Sequence, residues 1–211
     1  MIAIIDYGVG NMYSLKCSLE SQGIESVMTR DRETILNADK IILPGVGAFK
    51  DAAKNLRESG LDKVVIEAAK SGKPLMGICL GMQLLFEKSY EYGECEGLGL
   101  IKGSIVPLEG KIPPSYKIPH IGWNALSFKG EKSPIFKYLN ENDCVYFVHS
   151  YYGVDCAEST IATCEYAIEV TAAVQKGNVF GCQFHPEKSG KVGLSILKAF
   201  DEYTPEDGDR A

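Results

Sequence analysis

The strongest constraint on this chain is an alternation in its first eighty residues, where short apolar runs trade places with stretches of helical period and glycine marks the joints. Residues 1–6 are an apolar run ended by an acid. Gly8-Val9-Gly10 then turns the chain, and Asn11 is placed to cap a helix whose Met12, Leu15 and Leu19 share one face. Residues 24–28 and 40–43 read as a second and a third strand, the third stopped by Pro44-Gly45-Val46-Gly47. Leu61, Val64, Val65, Ala68 and Ala69 fall at i, i+3, i+4, i+7 and i+8, an amphipathic helix that Gly72 ends, and residues 74–79 form a fourth strand. Repeated β-α-β units with short connections predict a parallel sheet covered by helices on both faces.

Between residues 98 and 184 the period changes to short β-rich runs at 121–128, 143–149, 161–164, 169–175 and 178–184, separated by Gly, Pro and Asn. These predict antiparallel hairpins added to the same sheet. A last helix carries Val192, Ile196, Ala199 and Phe200 on one stripe. The fold class is therefore α/β, an open mixed, mainly parallel sheet. With no repeat, linker or low-complexity segment, residues 1–203 are expected to form one domain and residues 204–211, acidic and Pro/Gly-containing, a frayed tail.

Composition excludes several function classes. The formal charge is −6 and no basic run is long enough to footprint a nucleic acid. The apolar stretches are strand-sized and the N-terminus lacks a basic n-region, which predicts a cytoplasmic protein without membrane spans. The seven cysteines are odd in number and never in CxxC spacing, so neither a disulfide framework nor a zinc site is expected, and most should be core thiols. Gly8-Val9-Gly10 opens like a dinucleotide fingerprint, but its sixth position is Tyr13 and there is no Walker loop. No metal, nucleotide or redox cofactor is expected.

Acyl-transfer chemistry is the class that remains. Gly77-Ile78-Cys79-Leu80-Gly81 lies between a predicted strand and a predicted helix over residues 80–88, in the pattern of a nucleophile elbow with cysteine in place of serine. A cysteine in an apolar strand is ordinarily one more buried thiol. Glycine on both sides and the strand-to-helix joint favour a nucleophile whose sulfur meets the positive end of a helix dipole. Such a group needs a proton shuttle, and Phe184-His185-Pro186-Glu187 offers one, with His185 and Glu187 on the same face of an extended segment. His120 and His149, without an adjacent acid, are second choices. An oxyanion would be held by the backbone N–H of Leu80 and, from the flexible loop after the third strand, that of Val46.

The segments Gly77-Ile78-Cys79-Leu80-Gly81-Met82-Gln83 and Phe184-His185-Pro186-Glu187-Lys188-Ser189 resemble the class I (triad) glutamine amidotransferases. Asp6-Tyr7-Gly8-Val9-Gly10-Asn11, Leu43-Pro44-Gly45-Val46-Gly47, Pro119-His120-Ile121-Gly122-Trp123-Asn124 and Phe147-Val148-His149-Ser150-Tyr151-Tyr152 are most similar to the glutaminase subunits of imidazole glycerol phosphate synthases. The resemblance implies a flavodoxin-like sheet, a Cys79-His185-Glu187 triad that hydrolyses L-glutamine, and glutamine binding by Gly47, Gln83, Ser150 and Tyr151. It also implies a heterodimer with a (β/α)8-barrel cyclase that receives the ammonia, docked at Asn11, Pro119, Trp123 and Lys188. Taken by itself, Trp123 could equally be a core residue. Two other readings share these motifs: a related subunit serving a surface-polysaccharide sugar amidation, and a stand-alone γ-glutamyl thiol hydrolase. A binding subunit without chemistry is a third, opposed by the intact triad.

Overall fold

A computed structural model of the protein describes residues 1–205. The remaining residues, 206–211, hold most of the expected tail and lie outside the described part. The chain opens with strand β1 (Ile2–Ile5), helix α1 (Met12–Glu20), β2 (Ser26–Thr29), α2 (Arg32–Asn37), β3 (Lys40–Gly45), α3 (Phe49–Glu58), α4 (Leu61–Lys70) and β4 (Leu75–Cys79). Alternate side chains of β1 enter opposite cores, Ile2 and Ile4 against Leu15 and Leu19 of α1, and Ile5 against Ile35 of α2 and Phe49 of α3. That two-sided burial is what the continuous apolar runs require. Asn11 makes no side-chain cap to α1, whereas Asp31 caps α2 by accepting the Thr34 N–H at 2.8 Å.

The third strand continues through Pro44-Gly45 instead of stopping there, with Pro44 opposite Ile78 and Gly45 opposite Cys79. Pro44 is tolerated inside the sheet because the β1 ladder ends at Ile42, so the missing N–H faces no partner on that side.

After β4 the expected helix over residues 80–88 is cut to one short turn, α5 (Leu80–Leu84), and β5 (Phe86–Ser89) follows. The run Leu84-Leu85-Phe86 suits either period, and pairing of β5 with β6 (Cys95–Glu96) and β7 (Ile101–Pro107) decides it. The second half supplies β8 (His120–Ala125), β9 (Ser127–Phe128), β10 (Cys144–His149), β11 (Tyr151–Val154), β12 (Thr160–Glu165), β13 (Glu169–Lys176) and β14 (Val179–Cys182), then α6 (Gly190–Glu202).

The main sheet has the order β2-β1-β3-β4-β14-β13-β12-β9. Its first five strands are parallel and the last three are joined by antiparallel pairings. Not all hairpins join it, however. β8 and β10 form a separate two-stranded ribbon, and β11-β7-β5-β6 form a third sheet. The predicted run 121–128 is thus split, its first part in the ribbon and its end on the edge of the main sheet.

All seven cysteines are free, and the core expectation fails for three of them: Cys17 and Cys144 are exposed and Cys95 is half-buried. Cys17 lies on the face of α1 turned away from Leu15 and Leu19.

Candidate active site

The carboxyl ends of β3 and β4 meet where the elbow forms. Cys79 ends β4 with φ +54° and ψ −114°, a conformation that L-residues avoid and that costs on the order of 1–3 kcal/mol. Its neighbours explain how the turn is made. A Cβ at Gly81 would lie 1.8 Å from the Leu43 carbonyl oxygen of β3, and one at Gly77 would lie 2.6 Å from that of Gly81. Any side chain at either position would push the elbow off the sheet.

Parallel β14, beside β4, delivers the second half of the site. The His185 Nδ1 is 2.7 Å from Glu187 Oε1, with both side chains 3% exposed. The two residues are joined by a short 3-10 turn over Pro186–Lys188 and not by extended chain, so the turn, and not strand alternation, brings them together. The Ser189 hydroxyl donates to the His185 carbonyl at 2.6 Å and the His185 N–H to that of Tyr146 at 3.0 Å, which fixes the backbone. Burial by itself would favour the neutral imidazole. Hydrogen bonds with Cys79 and Glu187, and their charges, outweigh it and push the His185 pKa up to about 9. The Oε2 of Glu187 is buried without a partner.

These groups open into a cavity of about 410 Å³ whose lining includes Cys79, His185, Gln83, Glu91 and the Ser150-Tyr151 segment between β10 and β11. Val46, Gly47, Leu80, Pro119 and Lys188 also border it. Gly47 has φ +92°, and Val46 is exposed. Asn11 instead borders a narrow cleft behind the triad, shared with Pro44, His185 and Glu187. Trp123 stays outside the cavity, 57% exposed on β8, which removes the core alternative for it. On this strand Ile121 and Trp123 point outward while His120 points in, as period two requires.

Sequence reading missed three side chains, Glu91, Tyr7 and Gln183, and gave a fourth, His149, only as a second-choice base. Glu91 is a carboxylate of the cavity wall that is not part of the triad; burial pushes its pKa up, while the N–H of Phe49 donates to it at 2.6 Å. The Tyr7 hydroxyl donates to the Pro44 carbonyl at 2.7 Å and anchors the start of the Val46 loop. His149 binds the Tyr151 carbonyl through Nδ1 at 2.9 Å. Gln183, fully buried, lies against the sulfur. Tyr7 and His149 belong to segments whose resemblance was already noted. Only Gln183 carried a signal of its own, a polar residue closing an apolar strand two positions before His185. Among the described residues, no group of three or more His, Cys, Asp or Glu side chains could hold a metal ion, and no helix is long and apolar enough to cross a membrane.

A thiol on a strained elbow and a carboxylate-held imidazole on one cavity, which Val46 and Leu80 also line, are the parts of a cysteine-dependent acyl transferase. The family model for glutamine amidotransferase class-I matches residues 3–201. The chain belongs to the class I glutamine amidotransferase family. Relatives within it include imidazole glycerol phosphate synthase subunit HisH of Oceanobacillus iheyensis, 51% identical over 96% of this chain and 98% of that protein. The HisH subunit of Caldanaerobacter subterraneus is 50% identical over the same shares of the two chains. Among solved structures, PurLQS from Thermotoga maritima superposes with a TM-score of 0.74 at 22% identity, over 94% of this chain and 96% of that one. A second solved structure, described as a glutamine amidotransferase, gives 0.73 at 20% identity over 95% and 99%. At such identities these two likenesses speak for the amidotransferase fold alone.

Proposed function

We propose that this chain is the glutaminase subunit of imidazole glycerol phosphate synthase. It hydrolyses L-glutamine to glutamate and ammonia and passes the ammonia to a (β/α)8-barrel cyclase, with which it forms a cytoplasmic heterodimer. The cyclase carries out the lyase chemistry, forming imidazole glycerol phosphate and an aminoimidazole carboxamide ribonucleotide. The observation that carries the hydrolytic part is the buried His185–Glu187 pair next to Cys79, with Cys79 and His185 on the wall of a cavity of about 410 Å³. Near-full-length identity of about half to curated HisH subunits supports the pathway.

In this reading the Cys79 thiolate attacks the side-chain carbonyl carbon of glutamine, and the negative oxygen is held by the N–H groups of Leu80 and Val46. His185, kept as imidazolium, gives its proton to the departing nitrogen, so ammonia leaves and a thioester remains. Water, deprotonated by the now neutral His185, attacks the thioester and releases glutamate. Glu187 holds the imidazole by Nδ1 throughout. Gly47, Gln83, Ser150 and Tyr151 hold the substrate, and Glu91 suits its α-ammonium group, since it is the carboxylate of the cavity wall left free of the triad. Exposed Ile118, Ile121 and Trp123 around Pro119, with Asn11 and Lys188, form the docking face; interfaces favour Trp in this setting.

The test is ammonia substitution. Cys79→Ala should abolish glutamine-dependent synthesis by the two-chain complex and leave synthesis from ammonium salts. Loss of both would sink the assigned role, and vigorous hydrolysis of γ-glutamyl peptides by the isolated chain would favour a stand-alone hydrolase.

A further inference from the structure

Gln183 has no part in the steps above, yet it is fully buried at the point where β14 gives way to His185. A buried primary amide carries two donors and an acceptor, and each left unmet costs about 1–3 kcal/mol. The orientation of this amide is set by its neighbours. The Tyr151 carbonyl can only accept, so the group of Gln83 facing it at 3.3 Å is its Nε2. His149 Nδ1, at 2.9 Å, is the second donor to that carbonyl. The same Gln83 Nε2 lies 3.0 Å from Gln183, which must therefore present Oε1 to it. The other end of the Gln183 amide, Nε2, is then turned to the Cys79 sulfur at 3.8 Å. Flipping the amide would set an oxygen against the sulfur and two NH2 groups against each other.

The opposite influence comes from the Val148 carbonyl, 4.0 Å from the sulfur, which accepts from a thiol and repels a thiolate. We propose that Gln183 is a second donor to the nucleophile beside His185, its N–H favouring the thiolate over the thiol and keeping the sulfur aimed into the cavity. Gln83 and the Tyr151 carbonyl lock the amide in the donating sense. This rests on the reading of Cys79 as the nucleophile.

The experiment is alkylation of the full chain by iodoacetamide across pH, with peptide mass mapping to follow each cysteine. Exposed Cys17 and Cys144 serve as internal references. Gln183→Met keeps the volume and removes the amide. Gln183→Glu keeps the acceptor that Gln83 needs and sets an oxygen against the sulfur. In both, the pH of half-maximal Cys79 alkylation should move up by about one unit, with Cys17 and Cys144 unchanged. A purely structural role would alter thermal melting and leave the pH profile in place. A Cys79 profile at the wild-type position in either variant that still melts cooperatively overturns the proposal. The assay needs neither glutamine nor a partner, so failure of the wild-type complex to release ammonia would overturn the functional reading separately.

Discussion

The three histidines of this chain are equally buried and behave in opposite ways. His185, His120 and His149 are 2%, 3% and 5% exposed. Burial pushes the pKa of His120 down to about 4, with no other cause at work. It pushes that of His149 down to about 3, where the Tyr151 carbonyl opposes the shift weakly and the charges of His120 and His185 add to it. At His185 the same burial is overcome by Cys79 and Glu187, and the value rises to about 9. The difference is the partners of the ring: Cys79 first and Glu187, 2.7 Å away, hold the proton on His185, and neither does so on the other two. A neutral pair has fixed tautomers: His149 donates from Nδ1 to a carbonyl, so its Nε2 accepts from His120 Nδ1 at 3.0 Å. His120 is further held between Phe147 and Tyr166, with ring centroids at 4.9 and 3.9 Å. One buried histidine is thus held protonated, and two are held neutral in the wall beside it.

Substitution at each side should separate these roles. If His185 carries the proton as proposed, His185→Gln should lower glutamine-dependent turnover of the complex about 10²–10⁴-fold while ammonia-dependent synthesis persists. A loss under tenfold would place the proton elsewhere. Glu187→Gln should act more mildly, because an amide oxygen still accepts from Nδ1 but brings no charge. The folded-state pKa of His185 lies above its ordinary value of 6.5, so the imidazolium is present below that value and is lost as pH rises through about 9. Without the Glu187 charge this alkaline limb should move toward 6.5, and kcat/KM measured from pH 6 to 10 should show it. A limb that stays near 9 would mean that Cys79 alone sustains the imidazolium.

His149→Phe tests the brace. The ring volume is kept, but the Tyr151 carbonyl keeps only Gln83 as donor and the His120 Nδ1–H loses its acceptor, at a cost of about 1–3 kcal/mol in stability. Tyr151 lines the cavity, so if it holds glutamine as proposed, KM for glutamine should rise about tenfold with kcat much less affected. An equal fall in kcat would instead assign His149 to the chemistry.

The contrast between these histidines also shows what was legible in the sequence. The adjacent acid singled out His185 from His120 and His149, because a carboxylate two residues away reaches the ring by local geometry. Likewise Gly77 and Gly81 flank Cys79 because the elbow packs against itself and against β3, a local requirement written in local residues. Parallel strands and the α4 stripe were readable for the same reason. Contacts made across the sheet were not. Glu91 reaches the cavity only because β5 leaves the expected helix and pairs with β7, more than a dozen residues downstream. Strand β8 was placed in the main sheet because period two says which face is buried and nothing about which strand will be the partner. Gln83 could be assigned to the substrate by resemblance, but its bonds to Tyr151 and Gln183 join residues 68 and 100 positions away.

The smallest expected effect is on stability in acid, and its sign follows from the depressed values. Below pH 6.5 the unfolded chain takes up a proton at each of His120 and His149, while the folded chain takes up none until about pH 4. Stability therefore falls as pH drops from 6.5 toward 4, by about 1.4 kcal/mol per pH unit for each of these rings. His185 adds nothing in this window, because it is protonated in both states. His120→Phe removes one of the two rings, keeps the stack with Phe147 and Tyr166, and should lessen the acid slope by about 1.4 kcal/mol per pH unit. Urea unfolding of wild type and variant at pH 6.5, 5.5 and 4.5 measures it, with the carboxylates common to both cancelling in the difference. Parallel slopes would show that His120 is already charged in the folded chain. Its Nδ1–H would still donate to His149 Nε2, and the brace would be a second proton-bearing pair.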